Sequence, residues 1–567
     1  MSARLAFLMV SGIIALTAVL GGETQGVGDV STGAGFKVWV ADPLVKILPD
    51  SPVPTEPETA IKINAVRNEY ESAQVIVTAG SDISKLAVKV SPVTGSLGVM
   101  PRVEAQFLGF ILVEKGAPNT PPEHLIAQAP AGLPDPILEV KPVSVKAGRN
   151  QPVWLTIFVP KQTAPGTYTA TVEILADSES ATVPLSVRVH PVTLPDERTL
   201  YLTNWFSASN IAGAHGLEKW SEPFWKMLEA YAWCMADHRQ NVVITRIFEL
   251  ITARDDGNGN LTFDFSLFDR WVELFKRAGV IGIIEGGHLA GRGEWEAKDF
   301  DAYRPVTANP DGSVQKNPPV KATSDEERRF LSQFLPALQK HLEEKNWSDI
   351  YLQHLTDEPI AVNAESYKKL ASFVREFAPK LRTIDASMCT EIAGSIDIWV
   401  PLPPELEAKL SFFQERKKLG DDVWFYTCLV PRGKYMNRFL DYPLVETRLL
   451  HWMNFKYGLT GYLHWGLNHW HGDPFKDVPD DILPPGDSHI VYPGKRGPLS
   501  SIRLEALRDG VEDYELLKLL GKKNPKKARR ICDSVVRTMT DYTLDPAAFR
   551  AARMKLIEAL GGFSPED

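Results

Sequence analysis

The sequence predicts an α/β protein: a (β/α)8 TIM barrel preceded by an all-β sandwich domain, with a C-terminal helical segment. Two observations predict this fold class. Residues 36–195 consist of short alternating apolar runs separated by turn residues, which is typical of a sandwich. Residues 196–497 alternate strand-like and helix-like segments, which is typical of a parallel barrel. The chain of 567 residues also leaves room for a helical segment, residues 498–567, that would complete the barrel.

Residues 1–25 have the pattern of a secretory signal peptide. Arg4 supplies a positive charge, and the apolar run from Leu5 to Leu20 ends before the small residues that begin at Gly21. A single membrane anchor is the alternative, but the run is short for one and no basic segment follows it. We therefore expect a secreted or periplasmic protein with no integral membrane segment after signal cleavage.

The strand patterns of the first domain alternate in polarity and are bounded by proline and glycine. The clearest of them are residues 36–40, 73–77, 86–90, 153–159 and 165–174.

Eight strand patterns follow in the second domain, and helical patterns separate most of them. The predicted strands are 200–206, 241–247, 279–286, 349–355, 382–387, 396–400, 422–429 and 458–465. The predicted helices are 222–238, 267–277, 325–344, 364–377 and 444–456, with 501–520 as the eighth helix of the barrel. The link between the fifth and sixth strands is too short for a full helix.

Charge and cysteine usage exclude several classes of protein. The 62 basic and 71 acidic residues give a net charge of −9, and no basic tract is present, so we do not expect a nucleic-acid partner. The four cysteines, Cys234, Cys389, Cys428 and Cys532, are widely spaced and lie in apolar segments. This pattern favours buried free thiols over a disulfide framework or a metal site, and we expect no metal and no cofactor.

The adjacent carboxylates Asp357 and Glu358 follow the fourth predicted strand. Barrel enzymes place their catalytic groups at this end of the strands, which favours a catalytic role over a solvated helix start at Pro359. In an ordinary glycosidase two carboxyl groups flank the scissile bond, about 5 to 9 Å apart. Because neighbouring strand residues point to opposite faces, this pair suits separate tasks: one proton donor and one group that orients the substrate.

Other strand ends supply polar and aromatic residues that could line the same mouth. The candidates for substrate binding are Asn204, Arg246, His288, His354, Tyr426, Trp465, Asn468 and Asp473. Each has a structural alternative: Arg246 could pair with Glu285, and Trp465 could be a core residue. His464, His469 and His471 resemble a metal cluster, but their spacing favours sugar contacts or buried histidines.

Three segments resemble glycoside hydrolase family 123, the exo-acting β-N-acetylgalactosaminidases. The run His354-Leu355-Thr356-Asp357-Glu358-Pro359 looks like the catalytic motif of that family. The runs 67–74 (RNEYESAQ) and 501–515 (SIRLEALRDGVEDYE) are similar to its N-terminal domain and its C-terminal tail. The three motifs occur in the family's order and span nearly the whole chain after residue 25.

The resemblance implies a substrate-assisted retaining mechanism on a glycan or glycolipid. The 2-acetamido oxygen of the substrate would act as nucleophile, with Glu358 as acid and then base, and Asp357 holding the acetamido N–H. Tyr426 would contact the acetamido group, and Trp465 would form part of the sugar pocket. His288, Arg246 and Asp473 are candidates for contact with the 4-hydroxyl.

Two other functions remain open from the sequence. A glycosidase of the same fold could act on a sugar without an acetamido group, in which case Glu285 is the best candidate for the second carboxylate. A non-catalytic carbohydrate-binding surface protein is the other alternative, and the intact Asp357-Glu358 pair argues against it.

Overall fold

The structure is a computed structural model that describes residues 35–96, 98–310, 313–476 and 482–561. The predicted signal peptide, residues 1–25, lies outside these ranges. Within them, no helix is both long and apolar enough to cross a membrane.

The N-terminal part is β-rich and consists of two five-stranded sheets. The first sheet has the order Phe36–Ala41, Glu69–Ala79, Asn150–Val159, Arg102–Val113, Ala131–Ile137, and the second has the order Ile61–Arg67, Glu179–Thr193, Gly166–Ala176, Ile83–Val90, Val143–Val145. All pairs are antiparallel except Ile61–Arg67 with Glu179–Thr193, which are parallel. Alternate residues such as Val75, Leu155 and Ile174 form the buried apolar core between the sheets.

The second part, which we call the α/β domain, contains eight parallel strands at the predicted positions. In chain order they are Tyr201–Asn204, Val242–Thr245, Ile283–Gly286, Tyr351–Gln353, Arg382–Ala386, Ile398–Val400, a seventh strand interrupted at Trp424 (Asp422–Val423 and Phe425–Thr427), and Gly461–His464. The first, eighth and seventh form one sheet, and the second to the seventh form another. Because every pairing is parallel, the carboxyl ends of paired strands lie at the same edge of their sheet, which we call the carboxyl edge.

Hydrogen bonds outside the regular ladders join the two sheets. Trp424 N donates to Trp399 O (2.8 Å), which joins the seventh strand to the sixth at the residue where the seventh passes from one sheet to the other. Asn241 N donates to Leu202 O (3.3 Å), and the Asn241 side chain accepts from Leu202 N (2.9 Å), which links the first and second strands.

The helices of the α/β domain lie between these strands along the chain, and the helices of the C-terminal segment follow the eighth strand. They are Ala208–Ala214, Glu222–Asp237, Ile247–Leu250, Ser266–Ala278, Asp325–Glu344, Ala364–Phe377, Pro403–Ala408, Leu410–Lys418, Leu444–Tyr457, Ile502–Lys523, Pro525–Asp533 and Pro546–Gly561. Short 3-10 helices occur at Pro122–His124, Ser348–Ile350, Ala361–Asn363 and Thr390–Ile392. The last of these is all that connects the fifth and sixth strands, as the short link predicted.

Loops after the second and third strands carry small additional strands. Thr252–Asp255, Leu261–Asp264, Val306–Ala308 and Val314–Gln315 form a four-stranded sheet, and Ala290–Gly291 pairs with Asp301–Ala302. Tyr492–Gly494 pairs with Gly497–Leu499 before the helix Ile502–Lys523. The predicted third strand began too early, because Gly279 ends the preceding helix in the left-handed conformation (φ 83°).

All four cysteines are unpaired, as predicted from their spacing. Cys389 and Cys532 are buried, and Cys234 and Cys428 are partly buried.

A buried group of charged residues joins the two parts of the chain, and we call it the interdomain charge network: Glu69, Glu71, Arg448, Asp513 and Arg553. Arg448 Nη2 lies 2.7 Å from Glu71 Oε1, and Arg448 Nε lies 2.8 Å from Asp513 Oδ2. Arg553 Nε lies 2.9 Å from Asp513 Oδ1, and its Nη2 pairs with Glu69 and Glu71. Glu69 and Glu71 belong to the sandwich, whereas the other three belong to three helices, so the network fixes the sandwich against the α/β domain.

We expect Arg448→Met to destabilise the whole protein by about 3 to 5 kcal/mol, because it leaves Glu71 and Asp513 buried without this partner. The measurement is urea unfolding followed by circular dichroism. Arg537→Met is the control, since Arg537 makes an exposed pair with Asp541 (2.5 Å) whose loss should cost less than about 1 kcal/mol. Equal stability of the two variants would contradict the role given to the network.

Candidate active site

Asp357 and Glu358 lie at the carboxyl edge, in the turn that follows the fourth parallel strand. Leu355 N donates to both carboxylate oxygens of Asp385 (3.2 Å each), which ties this turn to the fifth strand. Glu358 has φ 45°, a left-handed conformation that is unfavourable for a residue with a side chain. Local strain of this kind persists only where the surrounding structure holds it in place, and it is often found at functional sites.

Glu358 is held by two neighbours. The Tyr426 hydroxyl donates to Oε1, and Arg292 donates from Nη1 to the Glu358 backbone oxygen (2.7 Å). Arg292 Nη2 lies 3.7 Å from Oε2. Burial and the nearby Asp357 raise the pKa of Glu358, while the Tyr426 hydrogen bond and Arg292 oppose this rise. A carboxyl group with a raised pKa is suited to act as a general acid.

Asp357 has a different environment from its neighbour. Its side chain is 57% exposed and faces a cavity, with Oδ1 4.0 Å from His288 Nε2. The surrounding protein raises the pKa of Asp357 by desolvation, and the charges of His354 and Arg292 oppose this rise. The two adjacent carboxylates therefore have different surroundings. They lie in a turn beyond the strand Tyr351–Gln353, so the alternation of strand residues used to predict this does not apply to them.

The cavity has a volume of about 720 Å³, which is within the usual range of small-molecule sites. Its wall consists of aromatic, basic and polar residues from several strand ends and loops. It includes Trp205, Arg246, Glu249, His288, Tyr303, Arg304, Asp357, Trp465 and His469. Four predicted site residues, Arg246, His288, Asp357 and Trp465, are thus brought together.

Buried carboxylates fix the two tryptophan rings of the cavity wall. Trp205 Nε1 donates to Glu285 Oε1 (2.8 Å), and Trp465 Nε1 donates to Asp487 Oδ2 (3.0 Å). Burial raises the pKa of Asp487 to about 7. Since each indole N–H is occupied, each ring presents only apolar surface to a ligand.

His354 does not contact the cavity, contrary to the prediction that it binds substrate. Its side chain is completely buried, with Nδ1 2.9 Å from Asp385 Oδ1 and Nε2 2.8 Å from Glu285 Oε1. Burial disfavours the charged ring, but the hydrogen bonds to Asp385 and Glu285 outweigh this and raise the pKa of His354 to about 9. We call Glu285, His354 and Asp385 the histidine clamp, because it ties the ends of the third, fourth and fifth strands together.

The carboxylate of Glu285 is occupied by hydrogen bonds within the protein. In addition to His354, it accepts from Thr203 Oγ1 (2.6 Å) and Trp205 Nε1 (2.8 Å), and it is buried. The predicted alternative pairing of Arg246 with Glu285 is wrong. Arg246 lies instead at the cavity wall, 3.7 Å from Glu249.

Three further candidates for substrate binding have other positions. Asn204 is buried, donates to Gln240 (3.1 Å) and accepts from Arg438 (2.6 Å). Asn468 is buried and binds the backbone of Ser207 through both atoms of its amide. Asp473 is exposed and accepts from Phe475 N in its own turn (3.0 Å), outside the cavity wall. These corrections have one cause: polar side chains at strand ends brace the loops as often as they face a ligand.

The three histidines that the sequence analysis assigned to sugar contacts or buried positions lie in different surroundings. His464 is buried beside Asp487 (3.4 Å), His469 lines the cavity, and His471 is exposed. Among the described residues, the group with donor atoms close enough for a metal ion is His288, His354 and Asp385. Both ring nitrogens of His354 already face carboxylates, so we assign no metal to this group.

The sequence did not indicate Arg292, Tyr303 or Asp487 as site residues. Arg292 and Tyr303 lie on the long loop after the third strand, beyond the strand-end positions used for prediction. Asp487 comes from a loop that follows the eighth strand and reaches back under Trp465. Only the three-dimensional path of these loops brings the residues to the site.

Two family models match the sequence. One described as the catalytic domain of glycoside hydrolase 123 matches residues 205–520, and one described as the glycoside hydrolase 123 N-terminal domain matches residues 49–176. With the acidic pair beside a cavity, these matches make the chain a glycoside hydrolase. Because the catalytic match covers more than half of the chain, the protein belongs to glycoside hydrolase family 123, which confirms the resemblance of its three motifs.

A solved structure of the same family shares the fold. A family 123 glycoside hydrolase from Clostridium perfringens, described in a study of glycolipid glycan hydrolysis, has 17% identity and a TM-score of 0.74, over 93% of this chain and 97% of that one. A termite-gut GH10 xylanase with a bacterial Ig-like domain has 11% identity and a TM-score of 0.33, over 81% and 100% of the two chains. No curated protein matches the sequence.

The histidine clamp should make stability depend on pH. Since the pKa of His354 is about 9 when folded and about 6.5 when unfolded, its contribution of roughly 3 kcal/mol is complete below pH 6.5 and is lost as the pH rises through 9. We expect His354→Gln to remove this part of the decline in the free energy of unfolding between pH 6.5 and 9. Urea unfolding at several pH values measures it.

The control for that comparison is His215→Gln, because burial lowers the pKa of His215 and it contributes no decline in this window. If His354→Gln and the wild type lose the same stability across the window, the charge assigned to His354 is incorrect.

Proposed function

We propose that the protein is an exo-acting β-N-acetylgalactosaminidase that uses the acetamido group of its substrate as the nucleophile. The proposal goes beyond family membership in three respects: the sugar, the retaining stereochemistry and the identity of the nucleophile. The substrate would be the non-reducing end of a glycan or glycolipid, which is in keeping with the glycolipid glycans named for the Clostridium perfringens enzyme.

One observation carries the proposal: the position of Glu285. A glycosidase that supplies its own nucleophile needs a second carboxylate facing the acid across the substrate. Glu285, the sequence's candidate for that role, is buried and accepts hydrogen bonds from Thr203, Trp205 and His354. Glu249, also in the cavity wall, is bound to Lys219 (2.6 Å). This arrangement favours a nucleophile that comes from the substrate.

The proposed reaction has two steps. The acetamido oxygen attacks the anomeric carbon while Glu358 gives its proton to the departing glycosidic oxygen, and a cyclic oxazolinium ion forms. Asp357 accepts the acetamido N–H and stabilises the positive charge of this ion. Water then attacks the same carbon from the side that the leaving group vacated. Glu358 takes the proton of that water, the ring opens, and the sugar is released with its original configuration.

The cavity wall suggests roles for the other residues. The Trp465 and Trp205 rings would receive the apolar face of the terminal sugar. His288 and Arg246 remain candidates for the 4-hydroxyl, whereas Asp473 lies outside the wall. Tyr426 lies outside the wall, where its hydroxyl donates to Glu358, and it would meet the acetamido group when the sugar is bound.

The proposal includes the architecture and the cellular location. The eight parallel strands would close into a complete (β/α)8 barrel, which is supported by their continuous parallel order and by the Asn241–Leu202 hydrogen bonds. The domains would be residues 36–195, 196–497 and 498–567. Cleavage of residues 1–25 would deliver the enzyme to the periplasm or the medium, as the n-region and h-region of that segment indicate.

Replacement of the acid tests the mechanism. We expect Glu358→Gln to lower kcat on an aryl β-N-acetylgalactosaminide about a hundred- to ten-thousandfold, because the amide cannot give a proton to the leaving oxygen. Glu365→Gln, which alters an exposed carboxylate on the helix Ala364–Phe377, should retain full activity. Hydrolysis of the matching β-galactoside by the wild type would contradict the proposal, since that sugar has no acetamido group.

The Tyr426–Glu358 hydrogen bond predicts a shift in the pH profile. This bond favours the ionised carboxylate, so Tyr426→Phe should raise the pKa of Glu358. A general acid acts only while protonated, so the alkaline limb of kcat/KM should move to higher pH. The pH dependence of kcat/KM measures the shift. A move to lower pH would show that Tyr426 acts on another group.

A further inference from the structure

Trp295 is a large aromatic residue that the proposed pocket does not use. It lies on the loop between the short strands Ala290–Gly291 and Asp301–Ala302, which pair at the base of the loop. Its side chain is 49% exposed, and it is not part of the cavity wall. A tryptophan ring offers a large, rigid apolar face to a ligand.

The second half of this loop is held in place by hydrogen bonds. Asp299 accepts from Thr323 Oγ1 (2.7 Å) and from the Ser366 hydroxyl. Asn363 Nδ2 donates to Ala297 O (3.2 Å), and Phe300 is buried. These contacts tie the loop to the start of the helix Ala364–Phe377, so the Trp295 ring has a defined position.

Arg292 connects this ring to the proposed acid. Its guanidinium carbon lies 3.9 Å from the centroid of the Trp295 ring, in a cation–π contact. The same guanidinium donates to the backbone oxygen of Glu358 (2.7 Å) and lies 3.7 Å from its carboxylate. The cavity wall includes Asp357 but not Glu358, Arg292 or Trp295, so these three lie beyond its edge.

We propose that Trp295, backed by Arg292, is the platform for the sugar on the leaving-group side of the scissile bond. This inference rests on the proposed function. If Glu358 gives its proton to the glycosidic oxygen, the departing group must lie within reach of Glu358 and outside the pocket of the terminal sugar. A pyranose has an apolar face of C–H groups that packs on an indole ring. The ligand is therefore the pyranose to which the terminal acetamido sugar is linked.

The test compares two substrates that share the terminal sugar. One is a disaccharide of N-acetylgalactosamine β-linked to galactose, and the other is β-N-acetylgalactosaminyl fluoride, whose leaving group carries no sugar. Trp295→Ala should lower kcat/KM about tenfold on the disaccharide and leave the fluoride unchanged. Inhibition by free N-acetylgalactosamine, which fills only the terminal pocket, should also be unchanged.

Two variants serve as controls. Trp233→Ala removes a tryptophan with the same 49% exposure from the helix Glu222–Asp237 and should alter neither substrate. Trp295→Phe keeps an aromatic ring and should recover most of the activity on the disaccharide.

The outcomes separate the two proposals. Equal effects of Trp295→Ala on both substrates, or no effect on either, overturn the platform and leave the proposed function intact. If the wild type hydrolyses neither acetamido substrate, the proposed function fails and the platform that rests on it fails as well.

Discussion

Buried ion pairs join the sandwich to helices of the α/β domain and of the C-terminal segment, and they hold these parts of the chain in one arrangement. Arg448 and Arg553 each contact carboxylates from both parts, and all of these groups are buried. Charges removed from water are stable only when their partners are in place, so a shift of either part would leave several of them unpaired. The motifs of residues 67–74 and 501–515 meet in this network, which gives them a structural role at a distance from the cavity.

The same principle operates on a smaller scale at the carboxyl edge. The histidine clamp joins three strand ends around one imidazole, and Glu285 extends it to Trp205 in the cavity wall. Asp487 supports Trp465 in the same way at the end of the eighth strand, which pairs with the first. The two tryptophan rings of the cavity wall are therefore held by buried carboxylates that lie behind them. In such a site the positions of the rings follow from the hydrogen bonds behind them.

Local patterns were sufficient to predict the eight parallel strands and the main helices, but not the partners of each side chain. The helices Asp325–Glu344 and Ala364–Phe377 have the predicted bounds, because their apolar periodicity and first-turn residues are both local signals. The position of Asp357 and Glu358 followed from the strand order alone. His354, Asn204 and Asn468 were misplaced because their sequence position fits a ligand contact and a buried brace equally well. The loop residues Arg292 and Asp487 reach the site from far along the chain, and no periodic signal marks them.

The interdomain charge network has a consequence for the order in which the protein can fold. Glu69 and its partner Arg553 are 484 positions apart, so the ion pair cannot form until almost the entire chain has been made. Domains usually fold in the order of their synthesis, with the N-terminal one first. Here the strand Glu69–Ala79 carries two carboxylates whose cations arrive last, and burial raises the pKa of Glu69 to about 8 even with Arg553 present. These two carboxylates therefore stay exposed to water on the early sandwich, and the final helices bury them when the ion pairs form.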